Sequence, residues 1–293
     1  MTKKIVIASG KGGVGKSMLS SSLAMLFNAG NKIVAVDCDV DAPNLKVWLN
    51  EIDKIDKKIP VITSARPEID NEKCIKCGQC VDACQFSALE LNEKIKLNPF
   101  LCEGCGACEA VCPAGAIKLK PVQNGEIEII KTKYGFNLVS GQLFPGETGS
   151  GKIVTEVKEK AEDFDYDLMI IDSSPGTGCP LIASIQGVDF VVLITEPTPS
   201  GFNDLKRVMD VVSYFKIPFG LVINKWDINK ELSDEIEKWA GNRLLGKISY
   251  DREIFKAIAN LKPIIETNLV AKKEIKKIFD KLKLWLDQQN QEK

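Results

Sequence analysis

The chain has 293 residues, enough to bury a sizeable core without disulfides, and its 39 Lys and Arg balance 40 Asp and Glu to a formal net charge of −1. That balance lacks the basic footprint of nucleic-acid binding, so nucleic acid is excluded as an expected partner. No histidine is present, and ten cysteines that a core of this size does not need as disulfides point to metal ligation in a reducing, cytoplasmic setting. Thiolates and carboxylates must then do the ligating and the proton transfer. No run approaches the ~18 apolar residues of a spanning helix. The apolar part of "MTKKIVIASG" is too short for a signal peptide, so a soluble protein is expected.

Short apolar runs open the chain and return after its middle. "KKIVIAS" reads as a strand, Lys16 to Phe27 as a helix and "NKIVAVD" as a second strand; "YDLMIID", "VDFVVLIT", "IPFGLVIN" and "LLGKIS" follow later, separated by amphipathic stretches. This alternation predicts an α/β fold, a mostly parallel sheet with helices on both faces. From about residue 66 to 121 the pattern disappears and eight of the ten cysteines occur. The predicted organisation is therefore 1–65 and 122–293 as one domain, with 66–121 inserted into it.

Between the first strand and helix lies "SGKGGVGKS". Gly10, Gly12, Gly13 and Gly15 let backbone amides face phosphate oxygens, Lys16 supplies a point charge to the β and γ phosphates, Ser17 offers a hydroxyl to magnesium, and Met18 continues the helix start. Strand, loop, Lys-Ser and helix stand in the order a phosphate-binding loop requires. The second strand ends in Asp37, with Asp39 two residues on; Cys38 between them reads as a small buried apolar side chain.

The inserted region repeats one unit. "CIKCGQCVDAC" places Cys74, Cys77, Cys80 and Cys84 at C-x2-C-x2-C-x3-C, and "CEGCGACEAVCP" places Cys102, Cys105, Cys108 and Cys112 likewise. This is the bacterial two-cluster ferredoxin run, in which the fourth cysteine of each run ligates the other cluster. One [4Fe–4S] centre is then expected on Cys74, Cys77, Cys80 and Cys112, the other on Cys102, Cys105, Cys108 and Cys84. Zinc is the competing occupant, but three cysteines at such tight spacing fit the corners of a cubane better than a tetrahedral site. Cys84 is followed by Gln85 rather than the usual proline, which shapes the turn and not the ligation.

Downstream, "YDLMIIDSSPGTGCP" is an apolar strand ending in Asp172, a position suited to holding magnesium through water. Cys179 follows seven residues later. "VINKWD" presents Asn224 and Asp227, the N-K-x-D pattern with which many GTPases read guanine. "EIKKIFDKLKLWLDQQ" puts Ile275, Ile278, Phe279, Leu282, Trp285 and Leu286 on one helical face, suited to docking on the sheet or to lying on a membrane. Docking is the commoner use of such a face, and a membrane is not an expected partner.

The loop K-G-G-V-G-K-S, with the aspartates that follow it, resembles the MinD and Mrp family of ATPases, related to the nitrogenase iron protein. The resemblance spans nearly the whole chain. It implies a homodimer in which Lys11 reaches the phosphates bound to the other subunit, with the warrant of an arginine finger. It further implies that Asp39 orients the attacking water, that "SSPGTG" is a second nucleotide-sensing segment, and that Asn224 meets the adenine edge. "ISYDREIFKAI" resembles the segment that closes over the base, with Ser249 where a proline is common. Cys179 stands where the nitrogenase iron protein carries a cluster cysteine, although the second cysteine of that bridging site has no counterpart here; a labile site formed by paired Cys179 residues is one expectation and an ordinary loop thiol the other. ATP, Mg2+ and two [4Fe–4S] clusters are the implied cofactors. The implied function is a dimeric ATPase, slow without a partner, that couples its nucleotide switch to electron transfer or cluster delivery to an acceptor protein. The alternatives are a metal-cluster carrier for metalloprotein maturation and a positioning ATPase whose ferredoxin part is structural.

Overall fold

Strands that carry continuous rather than alternating apolar runs are buried on both faces, and the centre of this fold is built from them. The computed structural model describes residues 2–291. Its first half contains β1 (Lys3–Ala8), α1 (Lys16–Phe27), β2 (Ile33–Cys38), the single turn α2 (Leu45–Trp48) and β3 (Lys57–Val61). The cysteine-rich stretch then supplies β4 (Ser64–Ile69), α3 (Gln79–Asp82), β5 (Leu89–Leu91), β6 (Ile95–Leu97), α4 (Ala107–Ala110) and β7 (Ile117–Val122). After it come β8 (Gly125–Lys131), β9 (Asn137–Leu143), α5 (Ser150–Ala161), β10 (Leu168–Ser173), α6 (Cys179–Ile185), β11 (Phe190–Thr195) and α7 (Pro199–Tyr214). The chain closes with β12 (Phe219–Asn224), α8 (Lys230–Ala240), β13 (Leu244–Ile248), α9 (Arg252–Ala259) and α10 (Val270–Gln291).

Nine strands form one sheet in the order β13-β12-β11-β1-β10-β2-β9-β8-β3. From β13 to β9 the neighbours run parallel, and every residue of β2, β10 and β11 is buried. Alternate residues face opposite sides. Ile5, Ile7, Ile170 and Val192 join α1 and α10 in one apolar layer. Val6, Ala8, Met169 and Ile171 join α5, α6, α7 and α8 in the other.

The edge formed by β9, β8 and β3 is antiparallel, and the apolar-run reading did not anticipate it. In β8, "GEIEIIK" mixes glutamates with isoleucines, because an edge hairpin needs no continuous apolar run.

The cysteine module emerges from the tip of this hairpin: Val61 pairs with Gly125, and the chain between them makes the module. β4 and β7 form its stalk, paired antiparallel from Ser64 opposite Val122 to Ile69 opposite Ile117. A second ribbon pairs Leu89 with Leu97. Gly78 (φ 81°) precedes α3 and Gly106 (φ 83°) precedes α4, so both halves of the repeat begin their helical turn from the same left-handed conformation that glycine favours.

α10 lays its apolar face on the sheet. Ile275, Ile278 and Leu282 are fully buried, Phe279 meets Phe27 edge-on at 4.6 Å, and Trp285 lies 4.3 Å from Phe190. The face that sequence reading left open to a membrane is thus covered by protein. Among the described residues no helix is long and apolar enough to cross a membrane.

Candidate functional site

Parallel strands bring their C-terminal ends to one edge of a sheet, and the ends of β1, β2, β10 and β12 meet there. The loop from Ser9 to Gly15 leaves β1 and enters α1 through Gly13 (φ 78°) and Gly15 (φ 97°). A Cβ on Gly15 would sit 2.4 Å from Asn224 Nδ2, so both backbone conformation and space demand glycine. Gly15 supplies no side-chain cap to α1, whose first N–H groups are left for an anion. Gly10 packs on the backbone of Asp204, Gly12 is exposed, Ser17 is half-buried and Met18 is buried.

Lys16 is buried beside three carboxylates. Its Nζ lies 3.4 Å from Asp39 Oδ2 and 4.0 Å from Asp172 Oδ1. Burial works against its charge, but Asp172, Asp39 and Asp37 outweigh that and hold its pKa above the ordinary lysine value. Asp37 and Asp172 are register partners on adjacent strands, both fully buried. Burial, with the charge of Asp172 adding to it, pushes the Asp37 carboxyl up to about 8. Asp37 is held by backbone: Oδ1 accepts from Asp39 N–H at 3.1 Å and Oδ2 from Leu45 N–H at 2.8 Å. Asp37 therefore shapes the segment that carries Asp39. Asp39 is itself raised by burial, with Lys16 opposing.

Asp172 Oδ1 accepts from Ser20 Oγ at 2.9 Å, whereas Oδ2 is buried with no hydrogen-bond partner among the described residues. A carboxylate oxygen in that condition calls for a cation or its water shell, because leaving it unpaired costs about 1–3 kcal/mol or more. Downstream of it, Ser174 Oγ donates to Cys38 O at 2.8 Å and Gly176 N–H to Ser9 O at 2.9 Å. The segment after β10 is in this way tied to both the β2 end and the phosphate loop.

Lys11 lies away from this carboxylate group. It is exposed, with Nζ 3.5 Å from Glu196 Oε1, and Lys225 Nζ meets the other oxygen of Glu196 at 3.1 Å. Glu196 had no signature in the sequence.

A pocket of about 120 Å³ opens beside the loop, lined by Gly15, Met18, Trp48, Asn224, Tyr250 and Phe255 among others. Asn224 Nδ2 donates to Val14 O at 2.8 Å, which fixes the phosphate loop to the end of β12. Asp227 Oδ1 accepts from Tyr250 N–H at 2.7 Å, and Glu274 accepts from both the N–H and the hydroxyl of Ser249 at 2.9 and 3.0 Å. The two carboxylates thus hold the 249–251 segment as one wall of the pocket. Tyr250 and Phe255 lie in the "ISYDREIFKAI" segment that the family resemblance placed over the base, whereas Trp48 and Glu274 were not found from sequence, because no short-range spacing links them to the loop they face.

The eight module cysteines fall into two sets. Cys84, Cys102, Cys105 and Cys108 line one hollow together with Pro67 and Leu119; Cys74, Cys77, Cys80 and Cys112 line another, with Ile95 and Ile117. The sets are related by the repeat: Cys84 Sγ accepts from Ala88 N–H and Cys112 Sγ from Ala116 N–H, both at 3.3 Å. Among the described residues no three His, Cys, Asp or Glu side chains converge closely enough to hold a single metal ion. Each set of four lines one hollow. Cys179 begins α6, is exposed, and abuts Gly151 of α5.

An uncharacterized protein of Methanocaldococcus jannaschii is 41% identical over 280 residues, covering 96% of both chains. The iron-sulfur cluster carrier protein of that organism is 23% identical over 305 residues, covering 95% of this chain and 83% of its own. A ferredoxin of Pyrobaculum islandicum is 41% identical over 73 residues, 24% of this chain and 68% of its own. In fold, the chain resembles the septum site-determining protein MinD of Pyrococcus horikoshii, solved with Mg-ADP, with a TM-score of 0.61, 17% identity and 96% of each chain covered. The family described as the CobQ/CobB/MinD/ParA nucleotide binding domain matches residues 5–264, and this chain belongs to it.

Proposed function

We propose that the chain binds and hydrolyses ATP as a homodimer and uses the nucleotide state to control electron transfer from two [4Fe–4S] clusters to a partner protein. The observation that carries this reading is the sorting of eight cysteines into two fours, each completed by the last cysteine of the opposite run. That sorting matches the ligand exchange of two-cluster ferredoxins, and apart from Glu103 the side chains lining the hollows beside the cysteines are apolar. When bound, the clusters would supply one-electron transfer.

At the phosphate edge, Ser17 and the unpaired oxygen of Asp172 would hold Mg2+, which when bound neutralises phosphate charge. Lys16 would exchange its carboxylate neighbours for phosphate oxygens. That exchange releases Asp39 from its 3.4 Å contact and leaves it to orient water. Lys11 would leave Glu196 and reach the nucleotide of the other subunit, adding positive charge where charge develops. ATP is favoured over GTP because the Asp227 carboxylate is engaged by Tyr250 N–H and does not line the base pocket.

Iron and acid-labile sulfide, counted on anaerobically purified protein, are expected near about eight of each per chain, as two four-iron clusters require. The EPR spectrum after dithionite reduction is expected to change on adding MgATP. Zinc in place of iron overturns the reading. The relationship to an iron-sulfur cluster carrier protein favours cluster delivery as a second reading. Nucleotide-dependent loss of iron to an apo-ferredoxin would select it, whereas retention of all iron keeps electron transfer.

A further inference from the structure

The two cysteine hollows are not equivalent with respect to the nucleotide. Along the β4–β7 stalk, Ser64 and Val122 mark the end at the main sheet; Pro67 and Leu119, further out, line the hollow of Cys84, Cys102, Cys105 and Cys108. Ile117, two residues beyond Leu119, lines the hollow of Cys74, Cys77, Cys80 and Cys112. The first is the near hollow and the second the far one.

Only the near one is wired to the main domain by the contacts described next. Gly104, between Cys102 and Cys105, lies so close to the stalk that a Cβ there would be 2.3 Å from Ala65 O. Phe100 packs on Gly146 (φ 78°), where a Cβ would come within 2.8 Å of the ring. Arg66 on the stalk pairs with Glu147 at 2.6 Å, with both side chains partly buried. Asn124, fully buried, accepts from Thr63 N–H at 2.9 Å and donates to Thr148 O at 2.8 Å, joining both ends of the module to the segment that leads into α5.

α5 in turn is locked to α6. Gly151 lies against Cys179 at the start of α6, and Lys158 Nζ donates to Ala183 O, Ser184 O and Gln186 O at its end, at 2.7, 2.9 and 2.7 Å. A half-buried ammonium capping three carbonyls resists sliding of one helix on the other. α6 follows directly on the segment after Asp172, which is tied to the phosphate loop through Gly176.

We propose that α5 and α6 move as one body with the segment after Asp172, and that residues 144–149 pass this movement to the near hollow while the far hollow stays insulated. The inference rests on the reading of a nucleotide-switched module, but it concerns the polypeptide and not the occupant of the hollows. A discrete packed element biased from both ends is the physical form such coupling takes.

The test is hydrogen–deuterium exchange on the full chain, with and without MgADP or a non-hydrolysable MgATP analogue. Exchange in 98–106 is expected to change about threefold or more with nucleotide, while 70–82 changes by less than half as much on the same scale. Glu147→Gln, and independently Phe100→Ala, should abolish the response in 98–106 while leaving nucleotide affinity within about twofold. Equal responses in both segments, no response in either, or a wild-type response in both variants overturns the proposal. Iron and sulfide counted on the same samples separate the two ideas: an asymmetric response in protein without iron keeps the coupling and discards the iron–sulfur reading.

Discussion

The nucleotide edge and the cysteine module are held together by different physics. Around the phosphate loop, burial does the work: β2, β10 and β11 are covered on both faces, and Lys16, Asp37 and Asp172 are positioned by a scaffold that needs no ligand to stand. The module has almost no such core. Its buried cluster is Cys80, Leu89, Ile95, Cys108 and Ile117, so two of its core members are cysteines proposed as ligands. On the proposed reading, so small a unit would be stabilised mainly by what its cysteines bind, and binding free energy there would be folding free energy. One region stands on its own core, and the other, on the proposed reading, would be completed by a cofactor.

The sharpest way to break this contrast is Cys102→Ser with Cys108→Ser. Iron is expected to fall by about half or more, and protease cleavage within 98–116 to rise about tenfold or more, because local unfolding now goes unopposed. Nucleotide affinity should stay within about twofold, since no module residue lines the base pocket; a parallel loss of affinity would show that the two regions share one stability. Next in size, Lys11→Ala is expected to lower phosphate release roughly a hundredfold or more while nucleotide still binds, because the charge acts only once a second subunit supplies it. Unchanged turnover would return Lys11 to a surface ion pair with Glu196. Leu23→Ala, in the fully buried face of α1, should cost about 2–5 kcal/mol in denaturant unfolding of the main domain without altering iron content.

The smallest effect concerns Glu128 on β8, which pairs with Lys46 at 2.7 Å and Lys58 at 3.3 Å. Burial opposes its charge, but the two lysines prevail and hold its pKa below the ordinary value. A depressed carboxylate stabilises the fold fully above its unfolded pKa of about 4.3 and loses that contribution as pH falls through the folded value. Glu128→Gln should therefore cost about 1 kcal/mol or less at neutral pH, with the difference from wild type fading in acid. A constant difference across that range would assign the effect to packing instead of charge.

Much of this arrangement was legible in the chain itself. Asp37, Asp172 and Asn224 could be placed at strand ends because parallel, doubly buried strands read as apolar runs that stop where the polar residue begins. Three cysteines of each set were legible from their tight spacing, whereas the fourth comes from the opposite run and followed only from the repeated pattern. Glu196, Trp48 and Glu274 were invisible for the opposite reason. They act through contacts distant in sequence, as when Glu196 meets Lys11 from 185 residues away, and such contacts leave no period. The edge strands β3, β8 and β9 escaped because one-sided burial alternates polar with apolar residues.

The central strand β1 has β10 and β11 as its neighbours, pairing Lys3 with Leu168 and Ile5 with Phe190. During synthesis the middle of the sheet must therefore wait until well over half the chain has left the ribosome, whereas the cysteines from Cys74 to Cys112 are all available long before. At the ~5–20 residues added per second, that interval is several seconds. The folding of the module and the assembly of the main domain are thus separable in time, and the cysteines leave the ribosome well before the nucleotide edge can form.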